Sequence, residues 1–175
     1  MAIGGNGREY DITFLAGAQL RTTTSQYKCV GFAPGTTTNA NRTVDLCGNT
    51  GTISEPTATA AFVIGINQTY MSSGALECNV RMHGVSKAVC AESITAGMFV
   101  AAYGGIGAAA STTTMAGKII NIDNAVTCTA YGATVSSQFV VLGRALENGS
   151  TNGVISVFVN PQLYDRQLAG TVGTT

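Results

Sequence analysis

Charge is scarce in this chain. Of 175 residues only 10% are Asp, Glu, Lys or Arg, against about 25% in an ordinary globular domain. Nine Lys plus Arg oppose nine Asp plus Glu, so the formal net charge is zero. No run holds three basic residues, so nothing draws the chain toward phosphate, and nucleic acid and anionic lipid are excluded as expected partners. Tryptophan is absent, aromatics make up 7%, and there are three prolines and one histidine. The missing tryptophan argues against an aromatic sugar-binding platform. What is present is 45% hydrophobic residues with Thr, Ser, Asn and Gly, enough for a single folded domain that buries roughly 70% of its unfolded surface.

The first residues lack the basic and then apolar segments of a secretory signal, so the chain is expected to fold where it is made. Five cysteines, Cys29, Cys47, Cys78, Cys90 and Cys128, form no C-x-x-C pair and read as reduced, buried small hydrophobes. A zinc site needs about four clustered thiolate or imidazole ligands, and His83 is the single histidine, so no metal and no cofactor are expected. The uncharged stretch Ile94–Ala110 is interrupted by Gly97, Gly104, Gly105 and Gly107. It reads as a strand and a Gly-rich turn rather than a membrane span, and no membrane partner is expected.

Periodicity is clearest at Leu76–His83, where Leu76, Cys78, Val80 and Met82 alternate with Glu77, Asn79, Arg81 and His83. Period-two alternation predicts a strand with the first set buried and His83 on the wet face. Further strands are predicted at Asp11–Leu15, Gln26–Phe32, Ala61–Ile66, Val85–Cys90, Met98–Tyr103, Lys118–Ile122, Val126–Tyr131, Gln138–Leu146 and Val154–Val159. A short helical turn is predicted after Pro161, through Gln162–Leu168. The fold class is all-β, a small barrel or two-sheet sandwich built from hairpins, with Thr/Gly-rich loops and little helix.

Two segments follow one plan. Phe62–Gln68, a turn ending at Gly74 and the strand from Leu76 match Phe139–Ala145, a turn ending at Gly153 and Val154–Val159. Each predicts a hairpin, and the pair is expected to form the centre of the sheet. The low-complexity stretches Gly35–Thr43, Gly48–Thr52 and Ser111–Thr114 read as exposed loops. The expected organisation is a flexible N-terminal arm over 1–10, one β domain over 11–161 and a C-terminal tail over 162–175.

Catalytic patterns are few. Gly31–Thr38 has the glycines of a phosphate loop without its lysine. Ser25–Lys28 matches S-x-x-K, but its place in a predicted strand would put the two side chains on opposite faces. There is no G-x-S-x-G elbow, and Asn41–Thr43, Asn67–Thr69 and Asn148–Ser150 fit the glycosylation sequon by composition. Five Glu and four Asp are scattered along the chain, and no group of acids, bases or nucleophiles emerges. The chain is not expected to be an enzyme, and no catalytic residues are assigned.

Taken in order, Ala16–Leu20, Gln26–Val30, Ile64–Gln68, Val80–Lys87, Ile94–Gly97 and Val141–Glu147 resemble the capsid cement, or head decoration, proteins of tailed bacteriophages. The resemblance runs from about Asp11 to Pro161, and the order of the motifs is what makes it distinctive. The family pattern has a polar residue after the Ile-Thr-Ala-Gly turn where this chain has Met98, and the loops over 32–56 and 111–137 are longer here. The resemblance implies a homotrimer on the outer surface of an icosahedral capsid, at threefold and quasi-threefold capsomer junctions, with the major capsid protein as partner. Such a protein is made in the host cytoplasm and stabilises the virion. A charge-poor surface suits this role because it packs against copies of itself without stranding buried ions. The Gly-rich leader ends in Arg8, Glu9 and Tyr10, the expected capsid-binding residues. Alternative readings are a fibre or spike module, or a carbohydrate-binding module.

Overall fold

The computed structural model describes residues 9–18, 20–21, 24–32, 43–47, 63–103, 116–122 and 138–165. Within them run β1 (Tyr10–Ala16), β2 (Cys29–Phe32), β3 (Thr43–Leu46), β4 (Val63–Asn67), β5 (Glu77–Val89), β6 (Phe99–Ala102), β7 (Ile119–Asn121), β8 (Gln138–Ala145) and β9 (Val154–Asp165). Among the described residues every element is a β-strand, and the fold is all-β. The sheet order is β1-β3-β2-β4-β5-β9-β8-β6-β7, and β1 also pairs with β5. That extra pairing closes β1, β3, β2, β4 and the first half of β5 into a five-stranded barrel. The second half of β5 continues through β9, β8 and β6 to β7, whose Ile119 makes a parallel bridge to Cys90, the residue just after β5. The result is a second, looser barrel, and β5 belongs to both.

β5 is long because its alternation does not stop: Cys78, Val80, Gly84, Ser86 and Ala88 are buried while Glu77, Asn79, His83, Val85 and Lys87 are exposed. Gly84 marks the passage from one barrel to the next. Its φ of +105° is a conformation that L side chains rarely adopt, and a Cβ there would meet the Glu9 backbone at 3.2 Å. Glycine is therefore the residue that allows the strand to turn without breaking.

The two predicted hairpins are β4–β5 and β8–β9, and they occupy the centre of the sheet order as β4-β5-β9-β8. The repeat extends well beyond them. Ile12 faces Val80 in the first barrel as Ser86 faces Val157 in the second. Val30 faces Gly65 and Val100 faces Gly143, and the register shifts immediately after each. The parallel contact of Ala16 with Val44 recurs as Cys90 with Ile119. Even the turns agree: Tyr27 N donates to Asn67 O and Gly97 N to Ala145 O, both at 2.8 Å, with φ of 61° at Tyr27 and 87° at Gly97.

The bulges depend on two glycines. A Cβ on Gly65 would lie 2.2 Å from the Arg81 carbonyl oxygen, and one on Gly143 would lie 1.9 Å from that of Phe158. Each first strand thus runs too close to its returning partner to carry a side chain.

Equivalent positions fill the cores. Leu20, Val30, Val44, Ile64, Cys78 and Val80 pack inside the first barrel. Ile94, Val100, Ile119, Leu142, Ile155 and Val157 take their places in the second. Cys29, Cys47, Val63 and Ile66 come from first-barrel strands or their ends, yet join the second core. Cys29, Cys47, Cys78 and Cys90 are buried, and burial pushes the Cys47 thiol up to about 12 and the Cys78 thiol up to about 11.

Several expectations need correction. The segments Leu76–His83 and Val85–Cys90 are one strand, and Leu76 is 62% exposed because it precedes the strand. Ser25–Lys28 is a turn, with β2 starting at Cys29. β3 is not among the predicted strands: it lies between the segments read as loops, Gly35–Thr43 and Gly48–Thr52, sharing Thr43 with the first, and with Val44 alone of its four side chains fully buried it shows no alternation. Gln162–Asp165 extend β9 instead of starting a helix. Between the pairs Gly143–Val159 and Val141–Gln162, β9 has one residue more than β8. Pro161 lies in that bulge, where its missing N–H is tolerated. The predicted strand Val126–Tyr131 and the loops Gly48–Thr52 and Ser111–Thr114 lie outside the described residues, as do residues 35–42 of the first loop and 166–168 of the predicted helical turn.

Candidate assembly surface

Strand register builds an equivalent row of outward positions on each barrel. On the first, Asp11 faces Arg81, Arg81 faces Ile66 and Ile66 faces Cys29. On the second, Val85 faces Phe158, Phe158 faces Arg144 and Arg144 faces Phe99. The backbones match, but the chemistry differs.

At one end of the first row Arg81 is a charged clasp. Its Nε donates to Asp11 Oδ1 at 2.5 Å and its Nη2 to Asp11 Oδ2 at 3.1 Å. Its Nη1 lies 3.0 Å from Glu9 Oε1 and also donates to the Val85 carbonyl. The Asp11 hydrogen bond, above all, raises the guanidinium pKa further. The other end of the row, Ile66 and Cys29, is fully buried in the core of the second barrel.

The second row is open. Phe99 is 47% exposed, Val85 46% and Phe158 38%. The rings are nevertheless placed: Arg144 Cζ stands 4.5 Å from the Phe99 centroid, and His83 meets Phe158 edge-on at 5.3 Å. Cation–π and edge-to-face contacts of this kind hold side chains in place without hiding them from solvent. Beside the row, Lys87 Nζ is 3.0 Å from Glu147 Oε1.

Of the expected capsid-binding residues, Arg8 lies outside the described residues. Glu9 is tied to Arg81, and Tyr10 opens β1 opposite His83 with 56% exposure. His83 itself is exposed, as the alternation predicts. The S-x-x-K residues are both buried. Ser25 Oγ donates to the Leu20 carbonyl at 2.5 Å, while burial first and the charge of Lys118 second lower the Lys28 pKa. Among the described residues no three His, Cys, Asp or Glu side chains gather as a metal site, and no helix is long and apolar enough to cross a membrane.

Phe99, Arg144 and Phe158 were not singled out by sequence reasoning. A signal existed in β9, where Val154, Phe158 and the buried set Ile155, Val157 and Val159 make both faces apolar. A strand with one wet face normally alternates.

No family model matches the chain, and no curated protein matches it. Among solved structures it is similar to the head fiber gp8.5 N base of bacteriophage phi29, with 11% identity over 86% of this chain and 93% of that one. The TM-score is 0.46, a likeness too slight to place the two in one fold.

Proposed function

We propose that this protein is a structural virion component that decorates and stabilises the icosahedral capsid of a tailed bacteriophage, bound as a homotrimer at threefold and quasi-threefold junctions. Its role is mechanical and not catalytic, and its partners are the major capsid protein and its own copies. The observation that carries this reading is the open Phe158–Arg144–Phe99 row on a charge-poor double barrel. Aromatic and arginine side chains are enriched at protein interfaces, where Lys and Glu are depleted. The ordered motifs that resemble those of cement proteins support it further. Two of them, Ile64–Gln68 and Val141–Glu147, contain the bulges of β4 and β8 and the glycines, Gly65 and Gly143, that both barrels depend on. Three feet on three capsid subunits would turn weak contacts into a firm clamp, since each later contact is effectively intramolecular.

The test is to add purified protein to undecorated, expanded heads and image them by cryo-microscopy. Density on threefold and quasi-threefold positions is the expected result. Bare threefold positions at saturating protein would sink the reading, and density at a single other site would favour a fibre or spike component.

A further inference from the structure

The first barrel carries its own exposed apolar edge, at the far end of the β4–β5 hairpin. Tyr70 is 65% exposed and Leu76 62%, and the adjacent Glu77 is exposed at the start of β5. Glu77 makes no ion pair among the described residues. The open row on the second barrel has the opposite character: two phenylalanines flank Arg144, which stacks on Phe99 and likewise makes no ion pair among the described residues. One edge offers the exposed carboxylate of Glu77, and the other the exposed guanidinium of Arg144.

We infer that a second copy of this chain docks head to tail, setting its Tyr70–Leu76–Glu77 edge on the Phe158–Arg144–Phe99 row of the first, with Glu77 pairing Arg144 across the contact. The two edges lie on different barrels of one chain, so each copy offers one donor edge and one acceptor row. A contact of this kind is heterologous and closes into a ring when the rotation between copies permits. The inference rests on the trimer proposed above and names the surfaces that would build it.

Three physical features favour this occupant. The equivalent row of the first barrel is half covered by this chain's own second barrel through Ile66 and Cys29, so covering this strand face with β structure is already part of the architecture. Phe158 and Phe99 lose few rotamers on docking, and Arg144 is already aligned over a ring, which lowers the ordering cost of association. With 10% charged residues in the chain, one opposite-charge pair fixes register among contacts that are otherwise apolar.

The experiment is a charge exchange read by sedimentation across a concentration series, with thermal melts to show that the exposed substitutions leave the fold intact. Wild type is expected to associate. Arg144→Glu and Glu77→Arg should each weaken association about a hundredfold, and the double variant should recover most of it, because charges in close contact across an interface are strongly coupled. Three results would overturn the inference: wild type monomeric throughout, association indifferent to Arg144→Glu, or a double variant no better than either single one. Head occupancy is scored separately on the same variants. Association that follows the charge exchange while heads stay bare refutes the capsid role and leaves this contact standing. Threefold occupancy untouched by every substitution does the reverse.

Discussion

The two barrels share a backbone and differ in what covers it. Bulges at Gly65 and Gly143, parallel bridges at Ala16–Val44 and Cys90–Ile119, and matching turns at Tyr27 and Gly97 define one plan twice. On that plan the first barrel's outward row ends in a charged clasp on one side and in buried Ile66 and Cys29 on the other, whereas the second displays Phe158, Arg144 and Phe99. Inward side chains and two glycines therefore set the fold, and outward ones answer to whatever lies against them. A row is charged where the carboxylates of Glu9 and Asp11 close over Arg81, apolar where the neighbouring barrel covers Ile66 and Cys29, and aromatic where we propose that another copy does.

The strongest way to break the shared plan is to add a methyl group where the strands run closest. Gly143→Ala and Gly65→Ala would each drive a Cβ into a backbone carbonyl, at 1.9 Å and 2.2 Å respectively. Because backbone cannot swing aside as a side chain can, each should cost about 3 kcal/mol or more in urea unfolding. Gly74→Ala is the control. Nothing lies within 4 Å of that Cβ, so the change should be neutral or stabilising by less than about 1 kcal/mol.

Next in size is the contrast at one equivalent position. Ile66→Ala removes a side chain buried in the second barrel's core and should cost about 2–5 kcal/mol. Arg144→Ala, at the matching place on the second barrel, should change stability by no more than about 0.5 kcal/mol while still impairing association. Equal costs at the two positions would mean that the rows are not in fact covered differently.

Much of this was legible in the sequence, and the illegible parts have physical causes. The alternation through Cys78 and Val80 and the repeated Phe-Val-Ile-Gly and Phe-Val-Val-Leu-Gly segments pointed to the central hairpins, because inward packing writes itself into period two. β3 was hidden, since four residues with one fully buried side chain give no period at all. The strand through Pro161 read as a helix start because proline's suitability for a bulge depends on the partner strand's register, which sequence does not display. The candidate surface was the least visible part. Arg144 and Phe99 are far apart in sequence, and what joins them is the pairing of β6 with β8. The place of Ile66 in the other barrel's core was equally hidden, because an outward side chain buried by a distant element looks like any other apolar residue.

A smaller effect tests the charged clasp, which has no counterpart in the second row. Arg81→Met keeps the aliphatic stem but removes the guanidinium from Asp11 and Glu9. Those carboxylates are 38% and 56% exposed and can regain water, so the loss should be only about 1–2 kcal/mol. The comparison to make is Phe158→Met at the equivalent place, where no ion pair is lost and unfolding should shift by less than with Arg81→Met.

The smallest effect separates the barrels by pH. Thr69 Oγ1 accepts a hydrogen bond from the Asn79 N–H at 2.8 Å in the first barrel, and Glu147 Oε1 accepts one from the Ser156 N–H at 2.5 Å at the matching place in the second. A hydroxyl does one job and a carboxylate the other, so only the second site titrates in acid. The Ser156 hydroxyl first, then the Lys87 ammonium and the Ser156 N–H, lower the Glu147 pKa from 4.5 to about 2. A carboxyl with a depressed folded-state pKa stabilises fully above its unfolded value and loses that contribution as pH falls through the folded one. The loss should therefore begin below about 4.5 and run through about 2. In an NMR titration the Ser156 amide should follow a midpoint near 2 while the Asn79 amide shows no such step. Glu147→Thr, which copies the first barrel's residue into the second, should abolish the Ser156 step. If the step survives in that variant, a group other than Glu147 is titrating, and the correspondence between the two sites does not extend to how they respond to acid.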